Sequence, residues 1–479
     1  MAVLLFTANG NADETVLEHF SRTHVLGTSF EMSIDVARKD AEVAEKAVIS
    51  EIKRLEKIFS TYDRSSEVSQ LNLEGAVDKN VSDELLDVIN RCTYWQKQLT
   101  KSFSCKMGQV VQMWQNFEQQ QARPDRVLIR ERARAAQQSD YNINDLLSGK
   151  PNNEFSWDFN GIAKGYILDK AMAVAKIAVP NASAIKLDIG GDAVYWQSIK
   201  SSKPIWSVGV AVPGTIDDSQ ETRLGTYRIR TGAIAYSGHS SRARKIGRRE
   251  YSHLLAPRDG WPRHNPVTAI VKAENAVSAD ALATALATSD ISVSLDWLSK
   301  HPQYSALLID KEGRHYASSN WYQGYIEKKA DTDISTDYQT KISFTLPKIS
   351  TAKYRKPYVS LWVTDKNGKI VKTLMVLGKS ERWMQENRSW WRIQGRKSPQ
   401  LLDGFARPTR RPGQYNVIWN GRDDFGNLLS AGEYRLFIEA SREHGDHEKF
   451  SILFELGAEK QKLSKKGNKE VEKLVLESL

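Results

Sequence analysis

The chain has 479 residues, 40% of them hydrophobic, with 13 tryptophans and a formal charge of +10. That length predicts two domains, and the apolar content excludes a disordered chain. Two cysteines exclude a disulfide scaffold or a cysteine-built zinc site and leave a single bridge open, no apolar run reaches the ~20 residues of a membrane span, and a positive charge spread without dense runs favours anionic ligands but not nucleic acid as partner.

At the N-terminus, Ala2 to Phe6 form a short apolar patch followed by small and polar residues to Ala12. Residues 1–15 read either as the remnant of a secretory signal lacking its basic start or as an ordinary frayed end, and they carry no lipobox cysteine. Next, "DVARKDAEVAEKAVISEIKRLEKIFSTY" places Val36, Ala44, Val48, Ile52, Leu55 and Ile58 at helical spacing, which predicts a long amphipathic helix. "VSDELLDVINRCTYWQKQLT" predicts a second helix capped by Ser82, with Glu84 in its first turn.

"WDFNGIAKGYILDKA" enters a helix, from Ala163 on, through Gly161 and Gly165. A glycine-rich helix entry offers backbone N–H groups to an anion, with Lys164 adding charge, although a plain strand-to-helix turn explains the same residues. "AIKLDIGGDAVYWQS", "WSVGVAVP" and "TYRIRTGAIAYSG" read as strands. "EYSHLLAPRDGWP" ends a strand at His253, a base near neutrality or a structural histidine. "PVTAIVKAENAVSADALATALATSD" runs from a strand into a helix bearing Asp280 and Thr284 on one face. A carboxylate and a hydroxyl so spaced are hard oxygen ligands suited to Mg²⁺, or else they serve the helix itself. Residues 16–325 thus predict an α+β domain.

Residues 326–345 turn polar and read as a linker or an exposed first strand. Over 346–457, period-2 strands broken by turns such as Asn367-Gly368 and Phe425-Gly426 predict a small all-β sandwich. "EHGDHE" (443–448) reads as a polar hairpin loop or as a metal pair through His444 and His447, and 458–479 as a charged tail.

Seven of these stretches, in this order, resemble the ApbE-type FAD:protein FMN transferases. They are "LGTSF" (26–30), "FSTYDRSSEVSQLN" (59–72), Asp158 to Tyr166, Gly-Gly-Asp (190–192), Ser237-Gly238, "YSHLLAPRDGWP" (251–262) and "ADALATA" (279–285). The resemblance implies an enzyme that moves the FMN part of FAD onto a threonine or serine of an acceptor flavoprotein and releases AMP. It implies that Asp280, Thr284 and the Gly161 carbonyl bind Mg²⁺ (or Mn²⁺). It places the Leu26 backbone, Tyr62, the Ser102–Phe103–Ser104 segment, Asp158 and Lys164 on FAD, and His253 beside the reacting phosphate as base or positioning donor. Family habit implies export to the periplasm and peripheral association with the envelope.

Several positions depart from the family pattern. Ser104 and Ala256 stand where aspartates are usual, Cys105 and Gln109 replace prolines, and Leu26 replaces methionine. They keep a second reading open: a protein that binds or hydrolyses FAD without transferring FMN. The second half resembles a domain that follows such transferases in bacterial envelope proteins, and its "WNGRDDFGN" run is similar to the Ig-like fold of flagellar hook-capping proteins.

Overall fold

The computed structural model describes residues 16–74, 81–99, 102–201, 206–211, 223–238, 243–263, 267–323, 325–327, 338–351, 354–378, 384–396, 406–407, 409–458 and 460–479. Residues 1–15, read as a signal remnant or a frayed end, and 328–337 of the 326–345 stretch lie outside the described residues.

The first half is organised on an eight-stranded sheet, with every neighbouring pair antiparallel. Its order is Val16–Val25, Thr28–Val36, Ala184–Ile189, Asp192–Gln197, Gly232–Ser237, Thr268–Ala273, Ser305–Ile309 and His315–Ala317. Alternation assigns the faces. Ile185, Leu187, Ile189, Ala233 and Ala235 join the core under the helices. Ile234 turns to the opposite face, where it packs with Tyr195, Tyr227 and Trp321 beneath a three-stranded sheet.

The helices Arg38–Phe59, Ala163–Ala178 and Ala276–Thr288 cover the first face. The predicted amphipathic helix is present, with Ala44, Val48, Ile52, Leu55 and Ile58 buried or nearly so; Val36, expected in it, instead ends the preceding strand. Ser82 caps helix Asp83–Gln98 as expected, its hydroxyl accepting the Leu85 N–H at 3.2 Å. Helix Ala276–Thr288 is apolar all round and is buried between sheet and helix. Two further helices, Gly108–Gln119 and Arg126–Gln138, had no counterpart in the sequence reading; they close over Met107, Val110, Trp114 and Leu255.

The second half is all-β. A four-stranded sheet (Gly413–Trp419, Thr340–Leu346, Lys473–Ser478, Lys462–Lys466) faces a five-stranded one (Ala406–Arg407, Ile370–Leu377, Tyr358–Thr364, Gly432–Ser441, His447–Leu456). Ile342, Phe344, Leu361, Val363, Leu436 and Leu474 meet in their shared core. The expected sandwich is therefore present, but it begins and ends differently. Thr340–Leu346, assigned to the linker, is an interior strand, and the expected charged tail supplies two strands. The lysines there occupy exposed positions while Leu474 and Leu476 are fully buried, a period-2 pattern that the charge had masked. In "EHGDHE", His444 is exposed at a hairpin turn, and His447 Nε2 lies 2.8 Å from Glu439 Oε1. That polar-loop arrangement brings the two histidines to no common ligand set among the described residues.

The halves meet at the edge strand His315–Ala317, where the His315 N–H donates to the Asp424 carbonyl at 2.8 Å and the Arg422 guanidinium lies 4.1 Å over the Tyr322 ring. A hairpin loop thereby covers a sheet edge that would otherwise present unpaired backbone.

Candidate active site

Two helices position the central carboxylate. Helices Ala163–Ala178 and Ala276–Thr288 cross so closely that a Cβ on Gly165 would sit 2.3 Å from the Ala276 carbonyl oxygen, so only glycine fits. Each helix then satisfies the other's N-terminal N–H groups, which have no partner within their own first turn. Asp169 accepts from Ala276 and Val277, both at 2.9 Å, and Asp280 accepts from Gly165 at 3.0 Å. This narrows the expected backbone anion seat at the glycine-rich entry. The Gly165 amide is taken by Asp280 and the Ala163 amide by the Phe159 carbonyl, leaving Lys164 to supply the positive charge.

Asp280 is buried, and its carboxyl is pushed up to about 7, first by burial and then by the nearby Asp192 charge; Lys164 and the Gly165 N–H pull it back down. Lys164 Nζ pairs with Asp192, which also accepts the Tyr236 N–H at 2.9 Å. One turn beyond Asp280, Thr284 Oγ1 is 3.3 Å from Ser237 Oγ. Gly161 presses its backbone against the same threonine: a Cβ there would be 2.9 Å from Thr284 Cγ2 and 3.3 Å from Oγ1. Asp280, Thr284 and the Gly161 backbone thus line one cavity, with Gly161 packed on Thr284. Their all-oxygen donor set suits a hard divalent cation that keeps some of its water or takes phosphate oxygens. Among the described residues no cluster of three His, Cys, Asp or Glu side chains offers a metal site of the zinc type.

These groups line a cavity of about 910 Å³ whose wall runs from Gly27 to Thr288 and includes no residue of the sandwich. Tyr62, Ser102, Phe103, Ser104, Asp158, Gly161, Lys164, His253, Asp280 and Thr284, ten of the residues singled out in the sequence, all line it. Leu26 does not; it holds φ +50° in the turn that brings Gly27 and Thr28 to the wall. Tyr62 stands 74% exposed at the rim, free to cover a planar ligand. Asp158 is half-buried; loss of solvent around it pushes its carboxyl up, and it accepts the Asn160 N–H at 2.9 Å.

The 102–109 segment is pinned from three sides. Thr288 Oγ1 donates to the Ser102 carbonyl at 2.6 Å, and the Asp158 N–H donates to the Cys105 carbonyl at 2.8 Å. Cys105, standing where the family pattern has proline, is bridged to Cys92 of helix Asp83–Gln98. Asn72, the last residue of the "FSTYDRSSEVSQLN" stretch, exchanges hydrogen bonds with the Trp157 backbone at 2.7 and 2.9 Å and so fixes the irregular segment leading to Asp158. The sequence reading missed Arg244, Glu118 and Gln115 on the wall. They come from a helix and a three-residue strand that carry no pattern of their own.

A family model described as the ApbE family matches residues 26–308, and one described as predicted periplasmic protein (DUF2271) matches residues 339–473. Among solved structures, the chain is similar to the ApbE protein of Thermotoga maritima, with 23% identity over 66% of this chain and 100% of that one and a TM-score of 0.57. It is similar to the apo flavinyl transferase ApbE of Pseudomonas stutzeri (19% identity, 65% of this chain, 97% of that one, TM-score 0.53). The flavin transferase ApbE of Vibrio cholerae gives 22% identity, 64% and 99% coverage and a TM-score of 0.51. At these identities the likeness establishes the fold. No curated protein matches. The first family match spans more than half of the chain and every residue of the cavity wall, and the chain belongs to the ApbE family.

Proposed function

We propose that this protein transfers FMN from FAD to a threonine or serine hydroxyl of an acceptor flavoprotein, releasing AMP, with one Mg²⁺ or Mn²⁺ held by Asp280, Thr284 and the Gly161 carbonyl. The observation that carries this reading is the convergence of Asp280, Thr284, Gly161, Lys164 and His253 on one cavity wall. Its volume lies within the range of small-molecule sites. A divalent cation bound there supplies neutralisation of the diphosphate charge.

The chain's own residues do the rest. Lys164 brings positive charge to the diphosphate, and His253 takes the proton of the attacking hydroxyl or aligns it. The hydroxyl oxygen bonds to the FMN phosphorus in line, and the bond from that phosphorus to the bridging oxygen breaks, so that oxygen leaves with AMP. Tyr62, Asp158, the Ser102–Ser104 segment and the turn after Leu26 hold the dinucleotide's rings. The Cys92–Cys105 bridge and the match of residues 339–473 to a predicted periplasmic family support a periplasmic location, where disulfides persist. The sandwich would then serve to dock the acceptor or the envelope.

Purified protein, FAD, Mg²⁺ and a flavin-acceptor domain provide the test. The reading expects a fluorescent acceptor band on a denaturing gel, lost with His253→Ala. AMP release without a labelled acceptor would establish hydrolysis instead, and bound FAD without either product would establish a storage protein.

A further inference from the structure

The cavity wall also carries a charged pair, Arg244 and Glu118, supplied by strand Arg244–Ile246 and helix Gly108–Gln119, with Arg244 close enough to act on the Asp158 carboxyl. Arg244 is held there by Glu118, Nη1 to Oε2 at 3.2 Å, with its side chain only 15% exposed. Its Nε is buried and has no hydrogen-bond partner among the described residues. A guanidinium stays charged at any working pH, so a buried N–H of this kind without an acceptor is costly unless a ligand supplies one. Gln115 and Gln119 add amides to the same cavity wall, and Met107, Val111 and Leu255 add apolar surface to it. Apolar walls with a few convergent donors and acceptors fit a flat heteroaromatic ring with a polar edge, rather than the diphosphate, which belongs with Lys164 and the oxygen ligands.

We propose that Arg244 is a dinucleotide-binding residue, its Nε donating to a ring nitrogen or carbonyl oxygen of one of the two ring systems of FAD. Glu118 is its positioning partner, fixing the plane of the guanidinium. The assignment rests on the reading of this cavity as the FAD site, but it does not depend on whether FMN is transferred.

The test titrates FAD, FMN and AMP separately into wild type, Arg244→Met and Arg244→Lys, following flavin fluorescence for the first two and heat for AMP. The lysine variant keeps a positive charge beside Glu118 but has neither the Nε donor nor the planar fork, so it covers the case in which Arg244→Met fails to fold. FAD should bind roughly tenfold or more weakly to both variants. The same loss with FMN alone places the isoalloxazine at Arg244, and with AMP alone the adenine. Melting of the ligand-free variants should match wild type. Unchanged affinity for all three ligands overturns the assignment, as does a change confined to melting temperature. Wild type binding none of the three overturns both this assignment and the FAD site. Wild type that binds FAD but labels no acceptor, with both variants weakened, leaves Arg244 in place and removes only the transfer reaction.

Discussion

At the residue scale, the site depends on how closely Gly161 approaches Thr284. A Cβ at 2.9 Å from the threonine methyl requires a shift of the helix or of the turn, and the turn carries the carbonyl proposed as a metal ligand. Gly161→Ala should therefore leave the fold intact within about 1–3 kcal/mol, the usual range for overpacking. It should also raise the Mg²⁺ concentration needed for half-maximal transfer by about tenfold, since small displacements of the ligand shell cost of that order. A Mg²⁺ titration of transfer checks this, and an unchanged midpoint would mean that Gly161 serves packing alone. Asp280 makes a related point. Its i,i+4 partner Thr284 was legible from spacing, but its bond to Gly165 on a different helix was not, because spacing reports only neighbours on one element.

At the element scale, the crossing of helices Ala163–Ala178 and Ala276–Thr288 holds the reactive groups in place. Gly165→Ala puts a methyl against a backbone carbonyl, which cannot rotate away as a side chain would. We expect a loss of ~1–3 kcal/mol or more in urea denaturation, with Asp280 displaced and transfer reduced in proportion. Full stability with full activity would contradict the account.

The long helices and the alternating strands were legible because their patterns extend over many residues, as at Ala44 to Ile58 and Ala184 to Gln197. Helices Gly108–Gln119 and Arg126–Gln138 were not, since glutamine and arginine fill so many of their positions and each buries only two or three residues. The strand Arg244–Ile246 is too short to show any period, which is why Arg244 came to light only from the cavity wall. The final strands were hidden by lysines that are merely the solvent-facing half of an alternation.

At the scale of the whole molecule, the contact between the halves is sensitive to acid. His315 is buried at that contact; burial, and then Lys372, bring its imidazole down from 6.5 to about 4, with Arg422 adding to the shift and Asp423 and Asp310 opposing it. Between those values the unfolded chain takes up a proton at this position and the folded protein does not. The contribution of His315 is therefore intact above pH 6.5 and is lost progressively as the pH falls toward 4, by up to about 3 kcal/mol. Urea midpoints should fall over that window in wild type and fall less steeply in His315→Gln; equal slopes would contradict this. Two domains were legible from length and composition, whereas a contact made by His315, Tyr322 and a hairpin loop leaves no signal in sequence.

The central claim is that one divalent cation sits where Gly161, Asp280 and Thr284 converge. A crystal structure with FAD and Mn²⁺, read by anomalous scattering, tests it most directly. The account predicts a manganese peak within ligand distance of the Asp280 carboxylate, Thr284 Oγ1, the Gly161 oxygen and a phosphate oxygen of FAD. FAD bound in the cavity with the manganese elsewhere, or with none, would contradict it.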